Sequence, residues 1–355
     1  MDLILPVAGR STRFSNVRPK WMLTHPDGNF MVTHAISGLP LHKFDRVILV
    51  ALKEHLDEYD CRIGVKAAFD EVGLGEKFRM VELEKPTRNQ PETVTKCLEI
   101  LQDVKSFYVK DCDNFFVASV EEENSLAVCD LNDLEKVTAA NKSYVTKNES
   151  GLVTNVVEKR VVSSEFCCGG YSFRSASEYL SSYQQVCDND DLNLSHVIFH
   201  MILHGIPFST QHAESYEDWG TIAEWNDYKS TYCTIFLDID GVLVENAGRY
   251  FSPTWGETAS IKENVDAINA LQKKERAYVV LTTSRPESFK KVTEAQLEEI
   301  GVKYSQIIYG LPHAKRILIN DYASTNPYPS ACAINIERNS KGQLKQQLSH
   351  YFKKV

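Results

Sequence analysis

Leu5-Pro6-Val7-Ala8-Gly9-Arg10-Ser11-Thr12-Arg13-Phe14, followed by Pro19-Lys20, is the stretch on which the reading of this chain turns. Residues 3–8 are apolar and strand-like, and they run into a turn of small residues. Such a turn exposes backbone N–H groups that can cradle a phosphate, as helix N-termini and Gly-rich loops do. Arg13 and Lys20 add fixed positive charge. A triphosphate held here would have its α-phosphorus polarised and its pyrophosphate leaving group neutralised. The spacing is neither a dinucleotide fingerprint nor a Walker A loop. A second signature stands at Phe236-Leu237-Asp238-Ile239-Asp240-Gly241-Val242. It too follows an apolar run, and strand ends are where α/β folds build active sites. Two such sites in one chain point to two linked steps of one pathway.

Working outward, strand-like runs recur at 46–52, 106–110 and 151–158. A helix-like segment at 92–102 sets Val94, Leu98 and Leu101 at helical spacing. Alternating strands and helices imply an α/β fold with a largely parallel, covered sheet. The pattern restarts with a strand at 232–237, then a helix at 261–271, a strand at 277–282, a helix at 287–300 and a strand at 316–319. At 355 residues the chain exceeds a usual single core. The boundary is placed near 229–231, giving domains 1–230 and 231–355. That stretch lacks the Gly/Pro signature of a flexible linker.

The composition, 43% hydrophobic and 25% charged, is that of an ordinary globular protein. A net charge of -9 argues against a nucleic-acid binder, which would carry a basic face. An acidic chain that handles phosphates must confine its positive charge to sites or recruit Mg²⁺. No apolar run reaches the length of a membrane span, and the short N-terminal run reads as a first strand, not a secretory leader. The nine cysteines show no metal-type spacing and read as buried free thiols of a reducing cytoplasm.

The N-terminal segment resembles the nucleotide-binding signature of the sugar-phosphate nucleotidyltransferases, Leu-Pro-x-Ala-Gly-x-Gly-Thr-Arg-Phe followed by Pro-Lys. Further landmarks of that family follow in order. Phe107-Tyr108-Val109-Lys110-Asp111-Cys112-Asp113 resembles its strand ending in a metal-binding aspartate. Val156-Val157-Glu158-Lys159 resembles its Glu-Lys pair, and Gly169-Gly170-Tyr171-Ser172-Phe173 its Gly-Tyr-x-Phe strand. Asp218-Trp219-Gly220-Thr221 resembles its late Asp-x-Gly-Thr turn. The resemblance implies a Rossmann-like domain with a mixed, mostly parallel sheet. It implies that Arg13 and Lys20 stabilise the triphosphate and that Asp111 and Asp218 hold Mg²⁺. Ala8, Gly9, Ser11, Thr12, Thr93 and Gly170 would contact nucleotide or substrate, and Lys159 the acceptor phosphate. Asp113 taken alone reads as a turn residue. Ser11 stands where the family has glycine, and Gln90-Pro91-Glu92-Thr93 where a base-contacting turn is expected. CTP and UTP are the favoured donors.

Asp238-Ile239-Asp240-Gly241-Val242 resembles the first motif of the haloacid dehalogenase superfamily, mostly phosphatases. Leu281-Thr282-Thr283-Ser284-Arg285-Pro286 resembles the second motif, and Ile317-Leu318-Ile319-Asn320-Asp321 the fourth. The implied fold is a smaller Rossmann-like domain with a minimal cap. Asp238 would be the nucleophile and Asp240 the general acid, with Asp238, Asp240 and Asp321 binding Mg²⁺. Thr283 would hold the phosphoryl group, with Ser284 and Arg285 beside it. The third motif reads Gly310-Leu311-Pro312, without the usual lysine; Lys315 or Arg316 would supply that charge.

The resulting expectation is a bifunctional cytoplasmic enzyme. It would transfer a nucleotidyl group from a nucleoside triphosphate to a phosphorylated sugar or polyol, releasing pyrophosphate, and would hydrolyse a phosphomonoester intermediate. Such domain pairs resemble enzymes of capsule or lipopolysaccharide precursor synthesis. Self-association stays open. Two other readings also stay open: Asp111-Cys112-Asp113 as the Asp-x-Asp of a glycosyltransferase, and the C-terminal domain as a regulatory module. His196 and His212 are read as structural.

Overall fold

Val47-Ile48-Leu49-Val50-Ala51-Leu52 is buried at every position, as a strand must be when helices cover both faces of its sheet. The computed structural model of the chain describes residues 1–10, 18–134, 138–189, 191–274, 276–321 and 330–352. The chain divides into two units, Met1–Trp225 and Asn226–Val355.

The first unit contains strands β1 (Asp2–Pro6), β2 (Val47–Leu52), β3 (Phe78–Leu83), β4 (Phe107–Lys110), β5 (Asn114–Val117), β6 (Ser125–Asp130), β7 (Ser143–Lys147), β8 (Val153–Glu158), β9 (Glu165–Phe173), β10 (Ser209–His212) and β11 (Glu214–Asp218). Its helices are α1 (Met31–Ile36), α2 (Lys53–Glu58), α3 (Arg62–Glu71), α4 (Gln90–Leu101), α5 (Ala176–Val186) and α6 (Leu194–Leu203). Helix α7 (Ile222–Ser230) straddles the division. The main sheet runs β10-β6-β9-β4-β1-β2-β3. Strands β3, β2, β1 and β4 are mutually parallel, and β9 is antiparallel to both β4 and β6. The sheet is therefore mixed and mostly parallel, as the sequence implies.

Side-chain alternation splits the core into two layers. Leu3, Leu5, Val47 and Leu49 pack with Val32, Ile36, Val65 and Phe69 of α1 and α3. Ile4, Ile48, Val50 and Val81 pack on the other face with Val94 and Leu98 of α4, Tyr179 of α5 and Ile198 of α6. Strand β1 ends at Pro6, earlier than the apolar run to residue 8. Pro6 has no N–H with which to prolong a ladder.

The second unit has β12 (Tyr232–Asp238), α8 (Lys262–Lys274), β13 (Arg276–Thr282), α9 (Lys290–Glu299), β14 (Gln306–Ile308) and α10 (Gln343–Leu348). Its three strands form a parallel sheet in the order β12-β13-β14. Its core gathers Leu237, Ile239, Ile268, Leu281, Leu297 and Leu344. The helix expected at 287–300 opens as a 3-10 turn, Glu287–Phe289, before α9. The strand expected at 316–319 is not formed. Ile317, Leu318 and Ile319 are exposed, and no described strand pairs with them. An apolar triplet without alternation carries no signal for which edge should receive it.

All nine cysteines are free, but the expected burial holds for Cys97, Cys129, Cys167 and Cys168 only; Cys332 is exposed. Among the described residues no helix is long and apolar enough to cross a membrane.

Candidate active site

Two chain segments more than a hundred residues apart are brought together by one strand pair. Strand β4 ends at Lys110, a turn carries Asp111 and Asp113, and Asn114 opens β5. Strand β11 pairs antiparallel with β5, setting Asp218 opposite Asn114. The Trp219 N–H donates to the Asp113 carbonyl at 2.9 Å, fastening the late turn to the early one. Lys20 then closes the site: its ammonium donates to Asp113 Oδ2 and to the Gly220 carbonyl, each at 2.8 Å. Asp113 thus belongs to the site; its turn chemistry gave no sign of the Lys20 contact.

The turn is fixed from below by Lys110, which is fully buried. Its ammonium donates to the Asp111 carbonyl at 2.6 Å, to the Asn114 carbonyl at 3.0 Å and to Asn114 Oδ1 at 2.5 Å. Burial lowers its pKa from the ordinary lysine value. Gly169, at φ +93°, lies so close to the turn that a Cβ would meet Asp111 Oδ2 at 2.6 Å. A Cβ on Gly170 would meet the Tyr108 hydroxyl at 2.0 Å. Gly170, expected at the substrate, is buried in the β4–β9 ladder opposite Lys110, so its role is close packing beneath the site.

The carboxylates differ in their surroundings. Asp111 accepts from Gln90 Nε2 at 2.5 Å. Burial, reinforced by the Asp113 charge, pushes its pKa up to about 6. Burial would also raise Asp113, but the Lys20 ammonium outweighs it and holds that carboxyl below its ordinary value. Asp218 is ion-paired with Lys142 and accepts from the Gly220 N–H at 3.0 Å. Lys142, which the sequence did not single out, also donates to the Tyr216 hydroxyl at 2.6 Å. Carboxylates carried on the two fastened turns, one of them bonded to a neutral amide, are a hard donor type suited to a divalent cation such as Mg²⁺. Asp111 and Asp218 are the residues that would hold it.

A raised Asp111 costs stability whenever it is ionised. Asp111→Asn keeps an acceptor for Gln90 and removes the charge. At ~1.4 kcal/mol per pH unit, a rise from 3.8 to about 6 amounts to at most ~3 kcal/mol. The raised carboxylate binds its proton more readily folded than unfolded, so this cost is absent below pH 3.8 and grows as pH climbs to about 6. Asp111→Asn should therefore be more stable than wild type in urea melts at pH 8, with the gain fading towards pH 4. A constant or absent gain would contradict the placement of this carboxylate.

A cleft of about 720 Å³ opens over these groups, lined by Gly9, Lys20, Gln90, Asp111, Asp113 and Lys159 among others. A neighbouring cavity of about 510 Å³ shares Gly9 and Gln90 and adds Arg10, Thr87 and Thr93. The segment Gln90-Pro91-Glu92-Thr93 is the first turn of α4, capped by Asn89, whose Oδ1 accepts from the Glu92 N–H at 3.0 Å. That helix N-terminus borders both cavities, an arrangement that favours anions. The Thr93 hydroxyl lies 2.6 Å from that of Thr87. Ala8 is buried behind the strand end, its carbonyl accepting from the Thr87 N–H at 3.4 Å. Ser11, Thr12 and Arg13 lie outside the described residues. The Arg88 and Asn89 contributions were missed; Asn89 ahead of Pro91 is the helix-start signal that could have found them. His196 accepts from the Asn193 N–H at 3.0 Å in the capping box of α6, a structural part as expected.

In the second unit, Asp238 ends β12 and Asp240 follows it into the turn. Burial raises the Asp238 pKa above the ordinary carboxylate value. Arg316 Nη2 reaches Asp238 Oδ1 at 3.3 Å, so the structure brings up Arg316 and not Lys315, which is exposed. Arg285, expected at the substrate, is fully buried. Its Nε and Nη2 donate to Asp240 Oδ2 and Oδ1 at 3.0 and 2.8 Å, and its Nη1 to Gln296 Oε1 at 3.0 Å. A guanidinium so enclosed cannot reach a phosphate; it positions Asp240. Thr283 is likewise buried, 3.5 Å from Asp240 Oδ2, and accepts from the Arg285 N–H at 3.1 Å. Ser284 is half-buried beside it. Asp321 is exposed on the segment that forms no strand. The three-carboxylate Mg²⁺ set implied by the sequence is not assembled here, because Arg285 occupies both oxygens of Asp240 and Asp321 lies on that unpaired segment.

Breaking the Arg285–Asp240 pair strands a charge. Arg285→Met should destabilise the second unit by about 3–5 kcal/mol. Near-ultraviolet signals of Trp255, buried against Phe289 with ring centroids 5.1 Å apart, would report the loss. A cost below ~1 kcal/mol would show that the pair is not a fixed part of the folded unit.

No family model matches the sequence, and no curated protein matches it. Solved structures do. A nucleoside-diphosphate-sugar pyrophosphorylase from Vibrio cholerae superposes with TM-score 0.54 at 22% identity, covering 63% of this chain and 98% of its own. An inositol-1-phosphate CTP transferase from T. maritima gives 0.51 at 18%, covering 63% and 90%. A UDP-glucose pyrophosphorylase complexed with UDP-glucose gives 0.50 at 15%, covering 64% and 96%. At these identities the likeness is one of fold: over about 63% of its length the chain has the fold of the sugar-phosphate nucleotidyltransferases.

Proposed function

We propose that the first unit transfers a nucleotidyl group from a nucleoside triphosphate, CTP or UTP, to the phosphate of a sugar or polyol and releases pyrophosphate. The observation that carries this reading is the convergence of Lys20, Asp111 and Asp113 on a cleft with room for a nucleotide, with Asp218 brought opposite Asn114 by the β5–β11 pair. The acceptor phosphate attacks the α-phosphorus in line, and the bond to pyrophosphate breaks. Catalysis asks for position and charge more than for covalent work. Lys20 is placed to turn from Asp113 to the triphosphate. Lys159 lines the same cleft for the acceptor. Mg²⁺ on Asp111 and Asp218 would neutralise the phosphates. That the chain shares its fold with a nucleoside-diphosphate-sugar pyrophosphorylase and an inositol-1-phosphate CTP transferase supports the same reading.

We also propose that the second unit hydrolyses a phosphomonoester of the same pathway, acting before nucleotidyl transfer on a bisphosphorylated intermediate. Support comes from Asp238 at a strand end, with Arg316 as the cation facing it and Asp240 held by Arg285. Asp238 attacks phosphorus and the P–O bond to the alcohol breaks, with Asp240 giving its proton to the leaving oxygen; water, losing its proton to Asp240, then attacks the aspartyl phosphate, freeing Asp238 and inorganic phosphate.

Phosphorus NMR tests both halves together. The protein is mixed with Mg²⁺, each nucleoside triphosphate in turn, and a panel of mono- and bisphosphorylated sugars and polyols. Pyrophosphate with a new diphosphate linkage is the expected result, and it names the base. Nucleoside diphosphate in place of pyrophosphate, or no turnover on any pair, would sink the first half.

A further inference from the structure

Behind the candidate site lies a group of side chains that the proposed reactions do not use. His25, Asp27 and His34 offer ligand atoms that all lie within 4.8 Å of one another. His25 is buried, and each imidazole turns its Nδ1 edge towards one oxygen of Asp27. His25 Nδ1 lies 2.8 Å from Asp27 Oδ1, and His34 Nδ1 lies 3.2 Å from Asp27 Oδ2. We propose that His25, Asp27 and His34 form a binding site for a divalent transition-metal ion of the Zn²⁺ class, separate from the carboxylates over which nucleotide would sit.

The local geometry suits a cation. His25 Nδ1 lies near both the Asp27 N–H, at 3.2 Å, and an Asp27 carboxylate oxygen. His34 approaches the other oxygen of the same carboxylate, so one metal ion could meet all three groups where protons would have to be placed on each ring separately. Two imidazole nitrogens and one carboxylate suit Zn²⁺ and its neighbours rather than Mg²⁺. Three protein ligands leave one position open for water. The two rings are stacked at 3.7 Å between centroids, so binding requires them to swing apart about their own side-chain bonds.

The backbone already presents these groups. Thr24 and Phe30 form an antiparallel bridge, the His25 N–H donates to the Asn29 carbonyl at 2.7 Å, and Gly28 turns the chain at φ +96°. His34 comes from the last turn of α1. Trp219 lies against both imidazoles, at 6.0 and 5.6 Å between centroids. Its neighbours in sequence, Asp218 and Gly220, face Lys142 and Lys20. A metal here would clamp the hairpin that follows Lys20 and brace Trp219 from behind. It would order the site without touching substrate.

The full chain, stripped with chelator, is titrated with Co²⁺ and then Zn²⁺. Expected is one equivalent of Co²⁺ with visible ligand-field absorption, displaced by Zn²⁺, and a higher melting temperature of the metal-loaded protein. His34→Gln should weaken binding by at least ~100-fold, more than losses beyond the ligand shell produce. Asp27→Asn, at an exposed and nearly isosteric position, should do the same if His34→Gln misfolds. Two controls locate the ion. His200→Gln breaks another stacked histidine pair, His200–His204, at 4.1 Å. Asp218→Asn removes a carboxylate of the candidate active site. Both should leave the equivalent intact. No bound Co²⁺, an equivalent that survives His34→Gln and Asp27→Asn, or one lost in either control instead would overturn the proposal.

Discussion

Lys20→Met should cut pyrophosphate release by about 10³-fold while leaving the protein folded. The variant keeps an unbranched side chain of similar bulk and removes the charge together with its hydrogen-bond donors. Removing a single preorganised charge-stabilising group of this kind costs ~10²–10³ in rate, and two consequences of this geometry push the loss to the upper end. Lys20 is shared between Asp113 Oδ2 and the Gly220 carbonyl, so its loss also loosens the turn that presents Asp218. Asp113 is held below the ordinary carboxylate value chiefly by Lys20. Without that ammonium, burial pushes Asp113 upward, and part of the site's charge is lost to protonation. Initial rates of pyrophosphate release would check this, with circular dichroism as the control for folding. A loss under tenfold would remove Lys20 from the machinery.

Asp238→Asn should abolish phosphate release, by at least ~10³-fold as expected for an essential nucleophile, and leave pyrophosphate release untouched. The amide is close in shape, and Asp238 is half-exposed and ion-paired with Arg316. Little structural cost is therefore attached to the change, and the assay reads chemistry. Phosphate release that continues at the wild-type rate would mean that another group performs the reaction or that the second unit performs none.

The sequence carried most of the first unit because its signals are local. Apolar runs gave the parallel strands, and ordered motifs gave Lys20, Asp111 and Asp218. What it hid depended on tertiary pairing. Nothing near Asn114 or Asp218 announces that β5 and β11 will pair, yet that pairing makes Asp113 and Lys142 part of the site. The second unit shows the opposite failure. Thr283 and Arg285 stand in a motif that suggests substrate contact, but both are buried around Asp240. The apolar triplet before Asp321 resembles a strand, but apolar character does not create a backbone partner. The His25–Asp27–His34 group escaped because His-x-Asp followed at a distance by His has no fixed meaning without the hairpin that gathers it.

The chain order of β11 has a consequence for synthesis. Residues up to 173 already supply every strand of the main sheet except β10, so a growing chain can build most of that sheet early. Asp218 and Gly220 emerge later, just before α7, the helix in which the second unit begins. A nascent chain folding from its N-terminus would therefore hold a nearly finished scaffold while Asp113 still waited for its opposing strand. The candidate site of the first unit would be completed only while the second unit is being made, and a product truncated before residue 218 would be folded in large part but without Asp218.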